Sequence, residues 1–329
     1  LINISIASES IQLKINKKYI ILKADQRNAN TRVSAPPNLI TSKESLATFE
    51  VTYNGFSSQA QTAFQYAVNI WASIISSSVP IRVEANWDSL GPQVLGSASA
   101  ATFISASDNT FPQQNTWYPI ALAEKLMGSN HNQYSPPDSA DIKANFNSNF
   151  SQWYFGTDGN CPPGRFDFVT VVLHELGHGL GFQGSMNISG GQGSWGFGSG
   201  NPFIYDHFTE NGAGQALLNT SVFPNPSQTL ANVLTGNNLF FNGPISVSVN
   251  GFVPVKLYAP ASWDGSSSYS HLNETTYPPG NINSLMTPTL NASEVIHHPG
   301  SITLGMFEDM GWTTNLIVNT TSVFPGDTD

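Results

Sequence analysis

The sequence predicts an α+β fold in which a sheet is backed by one helix, a second buried helix carries the chemistry, and the C-terminal part is irregular. Three observations lead there. A strand, a helix and a strand follow one another between Thr48 and Trp87. A nearly unbroken apolar run containing H-E-x-x-H spans Phe166 to Phe182. Beyond Phe182 the chain becomes Gly/Ser-rich and loses its periodicity. The divisions read as an N-terminal arm or prosegment remnant over residues 1–46, an N-terminal subdomain over 47–182, a C-terminal subdomain over 183–312, and a tail or linker over 313–329. No internal repeat is visible.

In chain order, Ile11 to Ile15 and Tyr19 to Lys23 read as short strands, followed by a loop at Pro36-Pro37. Thr48 to Tyr53 alternates apolar and polar residues as a strand does. Ser57 to Ile75 places Ala63, Phe64, Ala67, Val68, Ile70, Trp71 and Ile74 at helical spacing, with Ser57 or Ser58 as cap. Pro80 to Trp87 is a further strand, and the strand–helix–strand spacing implies a crossover onto a parallel pair. A short helical patch covers Ala121 to Met127, and Ala140 to Phe146 reads as an edge strand near a cleft. Gly184 to Gly200 is a loop, and a turn follows at Asn211-Gly212. Phe240 to Tyr258 is strand-like, broken at Asn242-Gly243-Pro244 and Asn250-Gly251. Trp263 to Tyr269 is another loop, and Ser301 to Met310 reads as a final helix ended by Gly311.

Composition narrows the function classes. The 329 residues are only 10 % charged, with a formal net charge of −10, and no basic run suits nucleic acid or an anionic membrane. No apolar run reaches transmembrane length. A single cysteine excludes an internal disulfide framework. The first residues carry neither an initiator methionine nor a signal peptide, so a processed chain is expected, and the composition favours a secreted one. Sequons at Asn149, Asn187, Asn273, Asn291 and Asn319 permit glycosylation but arise easily in an Asn-rich chain.

The H-E-x-x-H run carries the chemistry. On a helix, His174 and His178 lie one turn apart on one face, so both imidazoles can reach one zinc ion. Glu175 stands beside the first histidine, placed to take a proton from an activated water without itself ligating. Asp167 is the expected N-cap, and the apolar flanks predict a buried helix with only its ligand edge open. A merely structural pair of histidines would leave Glu175 without a role, at the cost of burying a carboxyl group.

Gly181 completes H-E-x-x-H-x-x-G, which opens the metzincin motif, and it lets the chain leave the helix with a positive φ. The metzincin third ligand would fall at Gly184, which cannot ligate, so it must come from further along. Ser270-His271-Leu272-Asn273-Glu274 is followed by Asn283-Ser284-Leu285-Met286-Thr287-Pro288, and Phe307-Glu308-Asp309-Met310-Gly311-Trp312 closes the region. This layout resembles the leishmanolysin-like branch of the metzincin zinc proteases, over roughly Thr48 to Trp312. The long stretch between His178 and His271 and the lack of the family's cysteines depart from it and suggest a divergent, bacterial member.

The resemblance implies a metzincin-like zincin domain with a twisted mixed sheet, His174, His178 and His271 as ligands, Glu175 as base, and Met286 in a methionine turn beneath the zinc. His207 is the next candidate ligand, and Glu294 would be the third ligand of a gluzincin-like site. His297 and His298 read as cleft-lining or as caps of the final helix. Pro288 stands where some metzincins carry an oxyanion tyrosine, which leaves Tyr269 and Tyr205 as substitutes. Cys161 is a candidate latency thiol, against the alternative of a buried structural cysteine. Calcium is a second candidate ion, although Asp138, Asp141 and Asp158 are isolated acids and no EF-hand loop occurs. The leading expectation is a secreted or cell-surface zinc endopeptidase acting on proteins or peptides. An adhesin retaining the fold, with Trp195, Phe197, Trp263 and Tyr269 as binding groups, is the alternative from another class.

Overall fold

The structure, a computed structural model, describes residues 11–15, 18–36, 45–131 and 140–316. Its frame is a six-stranded mixed sheet made of β1 (Ile20–Val33), β2 (Phe49–Asn54), β3 (Ile81–Asp88), β4 (Val94–Ala100), β5 (Ile142–Asn147) and β6 (Thr289–Ile296). The spatial order is β6-β1-β4-β5-β3-β2. β2, β3 and β5 are mutually parallel, β6 and β1 are parallel, and β4 runs antiparallel to both of its neighbours. With its helices, the chain is α+β around a mixed sheet.

Helix α1 (Ser58–Ala72) makes the expected crossover between β2 and β3. Its N-cap is Ser57, whose side chain accepts from the Ala60 amide, and its apolar face buries Phe64, Val68 and Trp71. Helix α2 (Ile120–Met127) ends at Gly128 in the left-handed region. Helix α3 (Phe168–Leu180) lies against α1 and β4 and is buried along its whole length. The Trp71 indole donates to the Leu173 carbonyl at 3.0 Å and locks the two helices together. At the far end of α3, Phe56, Phe64, Phe146 and Phe168 meet mostly edge to face.

Two short helices, α4 (Gln228–Leu234) and α5 (Pro244–Val249), belong to the C-terminal part. A small antiparallel sheet of Thr209–Asn211, Leu239–Phe241 and Val255–Lys256 accompanies them. Helix α6 (Ser301–Met310) ends at Gly311 as expected and packs on α5. The two parts are not loosely joined. Trp312 donates to the Leu180 carbonyl at 3.0 Å, and Phe307 meets Trp71 edge to face.

Three expectations are corrected. Ile142–Asn147 is an interior strand, not an edge, because β4 pairs along its outer side. β4 reads Val-Leu-Gly-Ser-Ala-Ser-Ala, and these small residues hide a strand from any apolar alternation. The arm is also more than short strands and a loop: β1 is 14 residues long and lies inside the sheet, pairing with β4 through its first residues and with β6 through the rest. Finally, the middle of Phe240 to Tyr258 is helical, with Pro244 at the first turn of α5, where its missing N–H costs nothing.

The approach of α3 to the sheet depends on Gly179. A Cβ there would lie 2.3 Å from Ile142 Cγ2 and 2.9 Å from Cγ1, inside β5. Gly179→Ala is therefore expected to lower the unfolding free energy by about 1–3 kcal/mol. Adding Ile142→Ala should restore part of that loss, although Ile142→Ala alone costs about 2–5 kcal/mol. Chemical denaturation of the four proteins checks this, and strict additivity would show that the two side chains do not compete for one space.

Candidate metal centre

Helix α3 starts where Asp167 accepts from the Thr170 amide at 2.8 Å. The same Asp167 oxygen accepts from Thr170 Oγ1 and meets His297 Nε2 at 2.8 Å, a buried pair beneath the helix N-terminus. The helix ends at Gly181, whose φ of +123° an L side chain rarely adopts. Between these ends His174 and His178 project from successive turns, with their Nε2 atoms 3.0 Å apart.

His271 comes from the C-terminal part and completes the group. Its Nε2 lies 3.2 Å from that of His178 and 3.3 Å from that of His174. The segment carrying it is held on both sides: the Tyr258 amide donates to the His271 carbonyl, and the Leu272 amide to that of Met286, each at 2.8 Å. Met286 sits against α3 itself, since a Cβ on Gly177 would lie 2.8 Å from its Sδ. The 3₁₀ turn Ser284–Met286 thus brings Met286 under the helix, at the residue before His178.

The hydrogen bonds of the three rings settle their tautomers. His174 Nδ1 meets the Leu285 carbonyl at 2.6 Å, His178 Nδ1 the Phe182 carbonyl at 2.7 Å, and His271 Nδ1 the Ser267 carbonyl at 2.7 Å. A carbonyl oxygen only accepts, so each Nδ1 carries the proton and each Nε2 presents a lone pair. Three lone pairs within 3.3 Å repel one another unless a cation stands among them. Imidazole nitrogens placed tetrahedrally at about 2.0–2.1 Å from one ion would be about 3.4 Å apart, close to the observed triangle. Burial keeps the rings neutral: it lowers the His174 pKa to about 4, and burial with mutual repulsion pushes His178 and His271 well below the usual histidine range. Among the described residues, His174, His178 and His271 form a group able to hold a metal ion.

Glu175 points from the same turn toward the sheet. A Cβ on Gly96 would stand 2.9 Å from both Cγ and Oε1 of Glu175, so only glycine at this point of β4 leaves room for the carboxylate. The Leu22 and Ala98 amides face it and favour its charged form, but neither completes a hydrogen bond, and both oxygens lack a protein partner. Burial therefore pushes its pKa well above the usual carboxylate range. His174, Glu175, His178 and His271 are all 0 % exposed. The open ligand edge expected from the sequence is closed.

The remaining candidates lie elsewhere. Tyr269 donates to Asp206 at 2.7 Å and also meets Thr209, while Tyr205 donates to the Tyr269 carbonyl, so both hydroxyls are engaged in a buried structural network. The Cys161 thiol donates to the Arg165 carbonyl at 3.4 Å, and burial pushes its pKa up to about 12. It stands outside the histidine group, and burial outweighs the nearby Arg165 charge, so the thiol is held protonated. His207 meets Thr116, and His298 accepts from the Gly300 amide just before α6, whose N-cap Gly300 has no side-chain cap bond. His297 serves the N-terminus of α3 instead. Asp141 accepts from the Arg82 amide and Asp158 from the Asn160 amide, while Asp138 lies outside the described residues.

Glu294 lies in β6, where it accepts from the Asn291 amide at 3.0 Å; His271, not Glu294, completes the ligand group. Burial, with Glu274 adding repulsion, raises its pKa from 4.5 to about 7. A raised carboxyl stabilises the fold at low pH, and that contribution is lost as the pH rises from 4.5 through 7, at most about 3 kcal/mol. Thermal midpoints should accordingly fall less steeply over this interval in Glu294→Gln than in the wild type. Equal slopes would mean that Glu294 ionises freely in the fold.

Sequence reasoning named the ligands but missed what orients them. The Leu285, Phe182 and Ser267 carbonyls leave no side-chain signature. Gly96 does leave one: a glycine inside a strand marks a close approach, once the strand itself is recognised.

Residues 58–193 match the profile of a family described as SPBPB7E8-like. The match takes in α1, β4 and α3 with His174, Glu175 and His178, and it covers less than half of the chain, leaving out β1 and His271. No curated protein and no solved structure matches the chain.

Proposed function

We propose that this protein is a metzincin-like, zinc-dependent endopeptidase. The observation that carries the reading is the convergence of three neutral Nε2 lone pairs beside an unpartnered carboxylate on one helical turn. Zinc is the ion best suited to three imidazoles with one position left for chemistry. Bound there, it would supply a Lewis acid that activates water and polarises a peptide carbonyl.

The chain's own residues do the rest. The Leu285, Phe182 and Ser267 carbonyls fix the imidazole orientations and raise their basicity. Glu175 takes the proton of the attacking water and hands it to the departing amine, a task for a carboxyl group whose affinity for protons burial has raised. Met286 holds the floor of the site against Gly177. Secretion is part of the proposal and rests on composition alone. No helix among the described residues is long and apolar enough to cross a membrane.

The test is digestion of an unfolded protein by three samples: zinc-loaded, metal-stripped, and stripped then reloaded. Cleavage is expected in the first and third only. Equal cleavage in all three, or no cleavage by either zinc-loaded sample, would overturn the reading.

A further inference from the structure

Strand β1 runs along β4 beside the site. Residues 20–22 of β1 lie antiparallel on β4, in the register Ile20 with Ala98, Ile21 with Ser97 and Leu22 with Gly96. Their other edge meets the opposite wall: the Ile21 amide donates to the Ser266 carbonyl at 3.1 Å and the Lys23 amide to that of Pro288 at 3.3 Å. Ser266 lies beside Ser267, whose carbonyl orients His271, and Pro288 lies two residues beyond Met286. Four residues thus bridge the two parts of the protein, with the Leu22 amide above Glu175. At Ala24 the character of the strand changes: its amide bonds Gln93, and from Lys23 onward it pairs with β6.

We propose that Ile20–Lys23 fills a groove built to hold an extended polypeptide, and that the protein binds substrate there once this segment is displaced. The inference rests on the peptidase reading in taking the groove as a substrate site. The β4 wall offers a main-chain ladder and the opposite wall the Ser266 and Pro288 carbonyl acceptors, the recognition mode of an added β-strand, which reads backbone and not sequence. Selectivity would come from alternate side chains. Ile20 and Leu22 are buried while Ile21 and Lys23 are half-exposed, so the matching ligand carries aliphatic residues at every second position. Three side-chain contacts latch the segment at its ends: Lys23 pairs with Asp264, Lys18 donates to the Met186 carbonyl, and the Lys18 ammonium lies over the Phe197 and Trp263 rings.

The experiment uses the full chain, Ile21→Pro and Lys23→Glu, with near-ultraviolet circular dichroism confirming that each is folded. Ile21→Pro removes the donor to Ser266, and Lys23→Glu reverses the pair with Asp264 while keeping the main chain intact. Each protein is titrated with a fluorescent synthetic peptide of residues 18–23, and amide hydrogen exchange is followed across Ile20–Leu22. The variants should exchange faster there and bind the peptide at least about tenfold more tightly than the wild type. Folded variants that leave these amides protected would show the segment to be a fixed part of the sheet and overturn the proposal. So would an emptied groove that takes no peptide. Neither readout requires catalysis: peptide binding without any zinc-dependent cleavage would retain the groove and remove the peptidase assignment.

Discussion

Glu175→Gln is expected to lower zinc-dependent peptide hydrolysis by about 10²–10⁴-fold while leaving the fold and the metal content in place. The substitution keeps the side-chain volume, which matters because Gly96 of β4 leaves room for a chain of this size and no more. An amide in that place cannot accept the proton of the attacking water. The three imidazoles are oriented by main-chain carbonyls, none of which involves Glu175, so zinc stoichiometry should stay at one per chain, as in the wild type. Hydrolysis that survives the substitution at the wild-type rate would remove Glu175 from the mechanism. Loss of hydrolysis together with loss of zinc would assign it a structural role.

His271→Ala should release the metal. Changes to the outer shell of a metal site commonly cost about 10–100-fold in affinity, and removal of one of three protein ligands must exceed that. The variant is expected to elute metal-free after passage over a weak chelator, under conditions in which the wild type retains one zinc. The thermal midpoint should respond in the same direction: zinc should raise it in the wild type and leave it unmoved in the variant, because only an ion that binds the native state shifts the unfolding equilibrium. His207→Ala is the matched control, since that ring is engaged with Thr116 away from the group. Equal zinc retention by His271→Ala and the wild type would dissolve the site described above.

The sequence made the chemistry more legible than the architecture. His174, Glu175 and His178 announce themselves because a helix converts fixed spacing into fixed direction. Asp167, Ser57 and Gly311 were legible for the same local reason, since caps depend on the residue itself and its near neighbours. His271 could be reached only through the Leu285-Met286 segment, because no local rule reports that two stretches 97 residues apart converge. β4 was hidden by its small residues, and with it went the placement of Ile142–Asn147. The closure of the site was hidden too. The Leu22 amide faces Glu175, and nothing in an isolated apolar strand tells which groove it fills.

The partnership of β1 with β6 bears on how the molecule is made. Asn291 reaches back to the Arg27 carbonyl across 264 positions of chain, and the whole pairing is parallel and of very high contact order. During vectorial synthesis β1 leaves the ribosome with its principal neighbour, β6, still untranslated. All three histidines precede β6 in the chain, so the ion-binding loops exist before the sheet that steadies them can be finished. During that interval β1 can already dock on β4, beside Glu175. The order of translation therefore favours covering Glu175 before the remainder of the sheet is assembled.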